Sequence, residues 1–176
     1  MCMSVARVSA EDFNPNKYVA EGAVMLFWNA CVKFYPKEDK FNNWIDKNDF
    51  DVVPNSMAGS FARGPDSRVY SVNNSGVRYL LVAEPSGLCS VFVKDVNQDF
   101  ASQAFSRWQN AFKEKGWVHF DNVETQTKEK GQLTTTHYQY TSSGQEVMTV
   151  VVSKAQPGLG SFQLAMSASY EPGVNQ

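Results

Sequence analysis

The sequence predicts an α+β fold: an antiparallel curved sheet of about eight strands packed by two longer helices, ordered α-α-β4-α-β4. Three observations lead there. Two segments place apolar residues at helical spacing between recognisable start and stop signals. The remaining apolar runs alternate as strands do, and short polar turns separate them, which favours antiparallel neighbours over parallel crossovers. The third is size: 176 residues, 43% apolar and 13% aromatic, suffice to bury roughly 70% of the extended chain's surface.

The first helix opens at Asn14-Pro15, because Asn suits an N-cap and Pro at the first helical position gives up no needed donor. Val19, Ala23, Phe27, Ala30, Cys31 and Phe34 then recur on one face, and Pro36 stops the run. Leu26, Trp28 and Tyr35 widen the apolar surface, which makes this helix central. A shorter helix over 37–47 turns Phe41, Trp44 and Ile45 inward. Strands are expected at 58–63, 68–73, 77–84 and 88–94, with breaks at Gly64-Pro65-Asp66-Ser67, Asn73-Asn74-Ser75-Gly76 and Pro85-Ser86-Gly87. A helix over 97–115 carries a stripe from Phe100 through Phe105, Trp108 and Ala111 to Phe112, and Gly116 ends it. Four further strands are expected at 117–128, 132–141, 145–153 and 161–170. Helix plus meander thus occurs twice, without a sequence repeat. Residues 1–13 read as a flexible N-terminus, 14–170 as one α+β domain and 171–176 as a tail.

Charge narrows the partners. Sixteen basic and 18 acidic residues are well mixed, with net charge −2, which excludes a nucleic-acid binder or a polybasic membrane module. No run of about 18 apolar residues is present to span a bilayer.

Three cysteines occur, Cys2, Cys31 and Cys89. An odd count in an exported protein leaves one thiol over, and Cys2 at the terminus is the natural leftover. Cys31 is then expected to pair with Cys89, a loop closure worth roughly 4 kcal/mol in the chain-entropy account. The alternative is two buried thiols acting as small hydrophobes. Residues 1–10 lack the apolar core of a signal peptide, yet Val8-Ser9-Ala10 before Glu11-Asp12 has the small-residue spacing of a cleavage site. That segment reads as the remnant of an export signal, with Cys2 a candidate lipid-bearing cysteine, or as an unstructured cytoplasmic N-terminus.

Candidate chemistry is sparse. His119 and His137 lie on successive strands, and a turn near Lys130 sets His119 opposite about Thr141 and His137 opposite about Val123, so the rings are not neighbours. Two such histidines without a companion ligand motif make no metal site. Cys89 alternates with Val91 and Val93, the pattern of a buried strand face rather than of an exposed thiolate. Gly158 and Gly160 precede a strand, not the helix N-terminus that holds phosphate, and neither a P-loop nor a nucleophile-elbow motif occurs. Asp46, Asp49 and Asp51 lack EF-hand spacing, and Asp95 and Asp99 flank a helix start where acids favour the dipole. No cofactor, metal or catalytic set is expected. One strand face draws attention: Thr134, Thr136, Tyr138 and Tyr140 share it, the composition of a protein-binding surface or of an ordinary solvated sheet.

Leu26-Phe27-Trp28-Asn29-Ala30-Cys31 on the opening helix, followed by Gly87-Leu88-Cys89-Ser90-Val91 on a strand, resembles a group of small exported proteins of Gram-negative bacteria. In that group a cysteine on the first helix and one in a later strand recur. The resemblance implies periplasmic residence and no established activity. Together these readings lead to a non-catalytic periplasmic module that binds another protein, in concrete form an immunity or inhibitor protein that neutralises a toxin or effector. Two alternatives stand beside it: a small-molecule or lipid carrier with an apolar cleft between helix and sheet, and a hydrolase using Cys89 with His119 or His137.

Overall fold

The computed structural model describes residues 14–35, 37–59, 61–62, 64–74, 76–114, 118–120, 125–127, 133–141, 147–156 and 162–171. Cys2, the 1–13 segment and Gly158 and Gly160 lie outside the described residues. Helix α1 (Pro15–Phe27) starts as its sequence dictates: the Asn14 side chain accepts from the Asn16 and Lys17 backbone N–H groups at 3.1 and 3.3 Å. It buries Val19, Ala20, Ala23, Val24 and Phe27. The helix does not then stop but widens, and Trp28–Phe34 is π-helical, with the Tyr35 N–H reaching back five residues to the Ala30 carbonyl. Cys31 sits in that wider turn.

Helix α2 (Glu38–Lys47) buries Phe41 and Ile45. Two elements then depart from expectation. The first strand is not 58–63 but β1 (Asp51–Val52), and a short helix α3 (Asn55–Ala58) follows it. Pro54 opens α3 where no backbone donor is needed, and the Phe61 and Ala62 N–H groups still bond back to the Ala58 carbonyl, so helical turns win over extension there. Strands β2 (Arg68–Asn74), β3 (Val77–Ala83) and β4 (Leu88–Val93) agree closely with the expected runs. Gly87 has φ +91°, a left-handed conformation that makes its turn position one for glycine.

Helix α4 (Gln98–Glu114) is capped by Asn97 rather than by an acid: its side-chain oxygen accepts from the Asp99 and Phe100 N–H groups, both at 3.0 Å. The expected strand 117–128 is described as two pieces, β5 (Val118–Phe120) and β6 (Thr125–Thr127). Both pair with β7 (Leu133–Thr141), Phe120 opposite Gln139 and Thr125 opposite Thr136. The chain advances five residues between those pairs while β7 advances three, so the two pieces differ in register. Strands β8 (Val147–Ala155) and β9 (Leu164–Glu171) complete the second meander, and Glu171 belongs to β9 rather than to the tail.

The fold is α+β, with nine antiparallel strands in one sheet ordered β1-β2-β3-β4-β9-β8-β7-β5 and β6 also on β7. The last strands of the two meanders, β4 and β9, therefore meet at the centre, with Cys89 opposite Ala168 and Val91 opposite Met166. Helices α2, α1 and α4 cover one face, where Leu81, Val91, Met166 and Val152 form a continuous buried row across four strands. On the opposite face Ala58, Val69 and Val82 form a smaller apolar cluster under α3, with Val53, Phe61, Ala62 and Phe92 packed against it.

Candidate functional site

Cys31 and Cys89 are bonded to each other, Sγ to Sγ 2.01 Å and Cα to Cα 5.2 Å, across a sequence separation of 58. Neither side chain is exposed, so Cys89 offers no thiolate and the hydrolase built on it has no nucleophile. The bond ties the π-helical turn to β4. The Tyr170 hydroxyl reinforces it by donating to the carbonyls of Cys31 and Val32 at 3.2 and 3.0 Å, and the Tyr35 hydroxyl donates to the Glu84 carbonyl.

The Thr134, Thr136, Tyr138 and Tyr140 face turns toward α4 and not outward. Tyr140 is 1% exposed, packed edge-on against Trp108 and Phe112, and its hydroxyl accepts from Gln109 Nε2 at 2.9 Å. Burial drives its phenol far above the usual range, although the Gln109 bond opposes that shift. Tyr138 is half-buried against Phe105, and burial raises its pKa against a hydrogen bond from Thr136. Sequence alternation correctly groups the four residues; it has no means of saying that a helix covers two of them.

Two recesses flank α4. On one side, Val24, Met25 and Trp28 of the first helix face Ala104, Trp108 and Ala111 across an open groove of about 530 Å³. Its rim carries the Glu21–Arg107 ion pair at 2.7 Å, and Met25 is 58% exposed. Trp108 closes the floor. Its buried Nε1–H has no hydrogen-bond acceptor among the described residues, and the Trp28 and Tyr140 rings stand near right angles to it at 5.0 and 5.9 Å. On the other side, between α4 and the β7–β8 face, lies a smaller cavity of about 60 Å³. Lys154 is at its edge and donates from Nζ to Ser102 Oγ at 2.7 Å, while Ser102 donates to the Gln98 carbonyl at 2.8 Å. The lysine is therefore a donor to a hydroxyl whose proton is already committed, the reverse of a serine activated by a lysine base.

His119 pairs with Tyr140 by backbone register, one residue from the expected Thr141, and the expected partner Val123 of His137 lies outside the described residues. His137 is opposite Val151, on the sheet face away from Cys89 by strand alternation. Among the described residues no three of His, Cys, Asp or Glu gather as metal ligands, and no helix is long and apolar enough to cross a membrane. Asp46 and Asp49 line a polar recess with Arg68 and Asn42 at the end of α2.

No family model, curated protein or solved structure matches this chain. The functional reading therefore rests on the residues flanking α4.

Proposed function

We propose that this chain is a non-catalytic binding module of the bacterial periplasm that occupies another protein, in concrete form an immunity or inhibitor protein that neutralises an effector. The observation that carries the reading is the open α1–α4 groove. It is apolar on its floor, charged on its rim, and leaves Met25 standing free, the arrangement that accepts an apolar helix or loop of a partner. The buried Cys31–Cys89 bond supports residence in an oxidising compartment. The carrier alternative would need room between helix and sheet, and the cavity described in that layer amounts to about 60 Å³, less than a lipid or drug-sized ligand requires.

A photo-crosslinking amino acid at Met25, compared with one at the exposed Asn43 of α2, tests the reading in the native periplasm. The expected result is one discrete adduct from position 25 and none from 43, with the captured protein toxic when expressed without this chain. No adduct at 25, or the same adducts from both positions, would defeat it.

A further inference from the structure

We propose that the cleft between α4 and the β7–β8 face is a docking site for a carboxylate side chain of the partner protein, anchored by the Lys154 ammonium. The inference rests on the binding-module reading and adds the partner's chemistry. Lys154 stands on the helix-facing side of the sheet, opposite Thr134 on one neighbour and Leu164 on the other. Leu164 is 1% exposed, and Val152, the next residue on that face of β8, is buried as well. Lys154 is half-buried there, and a charge so placed gains from an opposite charge that replaces the water its burial removes. Here the structure supplies one replacement, Ser102 Oγ. An ammonium has three N–H donors, so two remain for an acceptor. Among the described residues no carboxylate lies within ion-pair distance of Lys154; the ion pairs described, Arg68–Glu38 and Arg107–Glu21, belong to other cations.

The surroundings match a carboxylate. Ser106 lies one helical turn beyond Ser102 and lines the same cavity, while the half-buried Thr134 stands opposite the lysine on β7. The Ser106 and Thr134 hydroxyls stand on two sides of the ammonium, where a hydroxyl is able to donate to an anionic oxygen. Size separates the possible sources of the anion. A cleft of about 60 Å³ admits a group the size of a carboxylate head and falls well below a drug-sized ligand. The rest of the ligand must lie outside, over the exposed ridge of α4 at Gln103, Arg107 and Asn110. That ridge separates the cleft from the apolar groove, so one partner surface laid along α4 reaches both with an apolar segment and an acidic side chain.

The test uses the full chain, isotope-labelled, titrated at low salt with the capped peptide of four glutamates, with four lysines as the control and inorganic phosphate as a third arm. The expected result is that tetraglutamate shifts the amide signals of Ser102, Ser106, Thr134, Thr136 and Lys154, while tetralysine does not. Affinity should fall about tenfold or more in Lys154→Met and stay within about threefold in Lys154→Arg, the pattern of a lost charge rather than lost packing. Shifts scattered away from the cleft, or unchanged binding by Lys154→Met, would overturn the proposal. So would phosphate binding at the cleft with tetraglutamate silent, which would assign the site to a free anion. The wild-type shift map needs no variant, so a misfolded substitution leaves the test standing. A partner captured at Met25 with a silent cleft removes this inference alone; a responsive cleft with no captured partner removes the binding-module reading alone.

Discussion

Helix α1 and helix α4 each lie on their own half of the sheet, and they are held there by different means. On the α1 side the attachment is covalent and close. The disulfide ties the helix extension to β4, the Tyr79 hydroxyl donates to the Val19 carbonyl at 3.3 Å, and a Cβ on Gly22 would come within 2.8 Å of that same hydroxyl. On the α4 side the attachment is a stack of rings and a few side-chain hydrogen bonds. Trp108 packs on Phe105 and Phe112 at 5.1 and 4.7 Å, Gln109 bonds Tyr140, Gln98 bonds the Ala155 carbonyl, and Lys154 bonds Ser102. The lesson is a division of labour. The first half is seated on the sheet by a covalent bond and close contacts, whereas the second is held by ring packing and polar side chains, and both recesses border its helix.

The contrast can be broken most strongly at the disulfide. Replacing Cys31 and Cys89 together by Ala should lower stability by about 4 kcal/mol, because a loop of 58 positions is no longer closed in the unfolded chain. Denaturant titration measures this, and a loss under about 1 kcal/mol would mean that α1 is held by packing alone, as α4 is.

High pH should be the next largest perturbation, and it reaches both halves. Burial raises the pKa of Tyr140, Tyr138, Tyr79 and Tyr35, so above about pH 10 the unfolded chain releases protons that the folded chain keeps. Stability is therefore retained below that pH and falls as pH rises through the native values. The Tyr140→Phe variant should lose stability less steeply above pH 10 in equilibrium unfolding, and an unchanged slope would show that Tyr140 ionises in the native state as freely as in water.

Gly22→Ala sharpens the comparison from the other direction. Alanine favours a helix by about 1 kcal/mol over glycine, but the new methyl group meets the buried Tyr79 hydroxyl, and overpacking of that kind costs about 1–3 kcal/mol. The variant should be destabilised by about 1 kcal/mol. In a Tyr79→Phe background, where the nearest ring atom is 3.4 Å away, the same change should become neutral or stabilising. Absence of that sign change would show that α1 is not seated as tightly on β3 as its geometry implies.

The smallest effect lies at the end of α2. Asp49 has φ +50°, and Asp49→Gly should raise stability by about 0.5 kcal/mol by removing left-handed strain without touching either α1 or α4. Thermal unfolding would detect it, and a loss of stability would mean that the Asp49 side chain contributes more than its backbone costs.

Much of the fold was legible because it is written in neighbouring residues. Asn14-Pro15 begins a helix, Gly87 suits a left-handed turn, and the Cys89-Val91-Val93 alternation marks a buried face; each acts through its own backbone or the next turn. The strand expected at 58–63 failed for the same reason in reverse. Its apolar residues serve a helix and a loop whose packing partners, Val69, Val82 and Phe92, come from elsewhere in the chain. The candidate site was legible only as a set of residue types.

By itself, the sequence determined that this chain makes helices and antiparallel strands in a given order, that no large charge imbalance draws it to nucleic acid, and which residues share each strand face. Tertiary structure alone decided that β9 returns to pair with β4, that α4 covers Tyr140, and that Lys154 faces Ser102 beside a cavity. The physical reason is range. Capping, turn and alternation energies depend on residues a few positions apart, whereas the contacts that build both recesses join segments brought together only when the two meanders share one sheet.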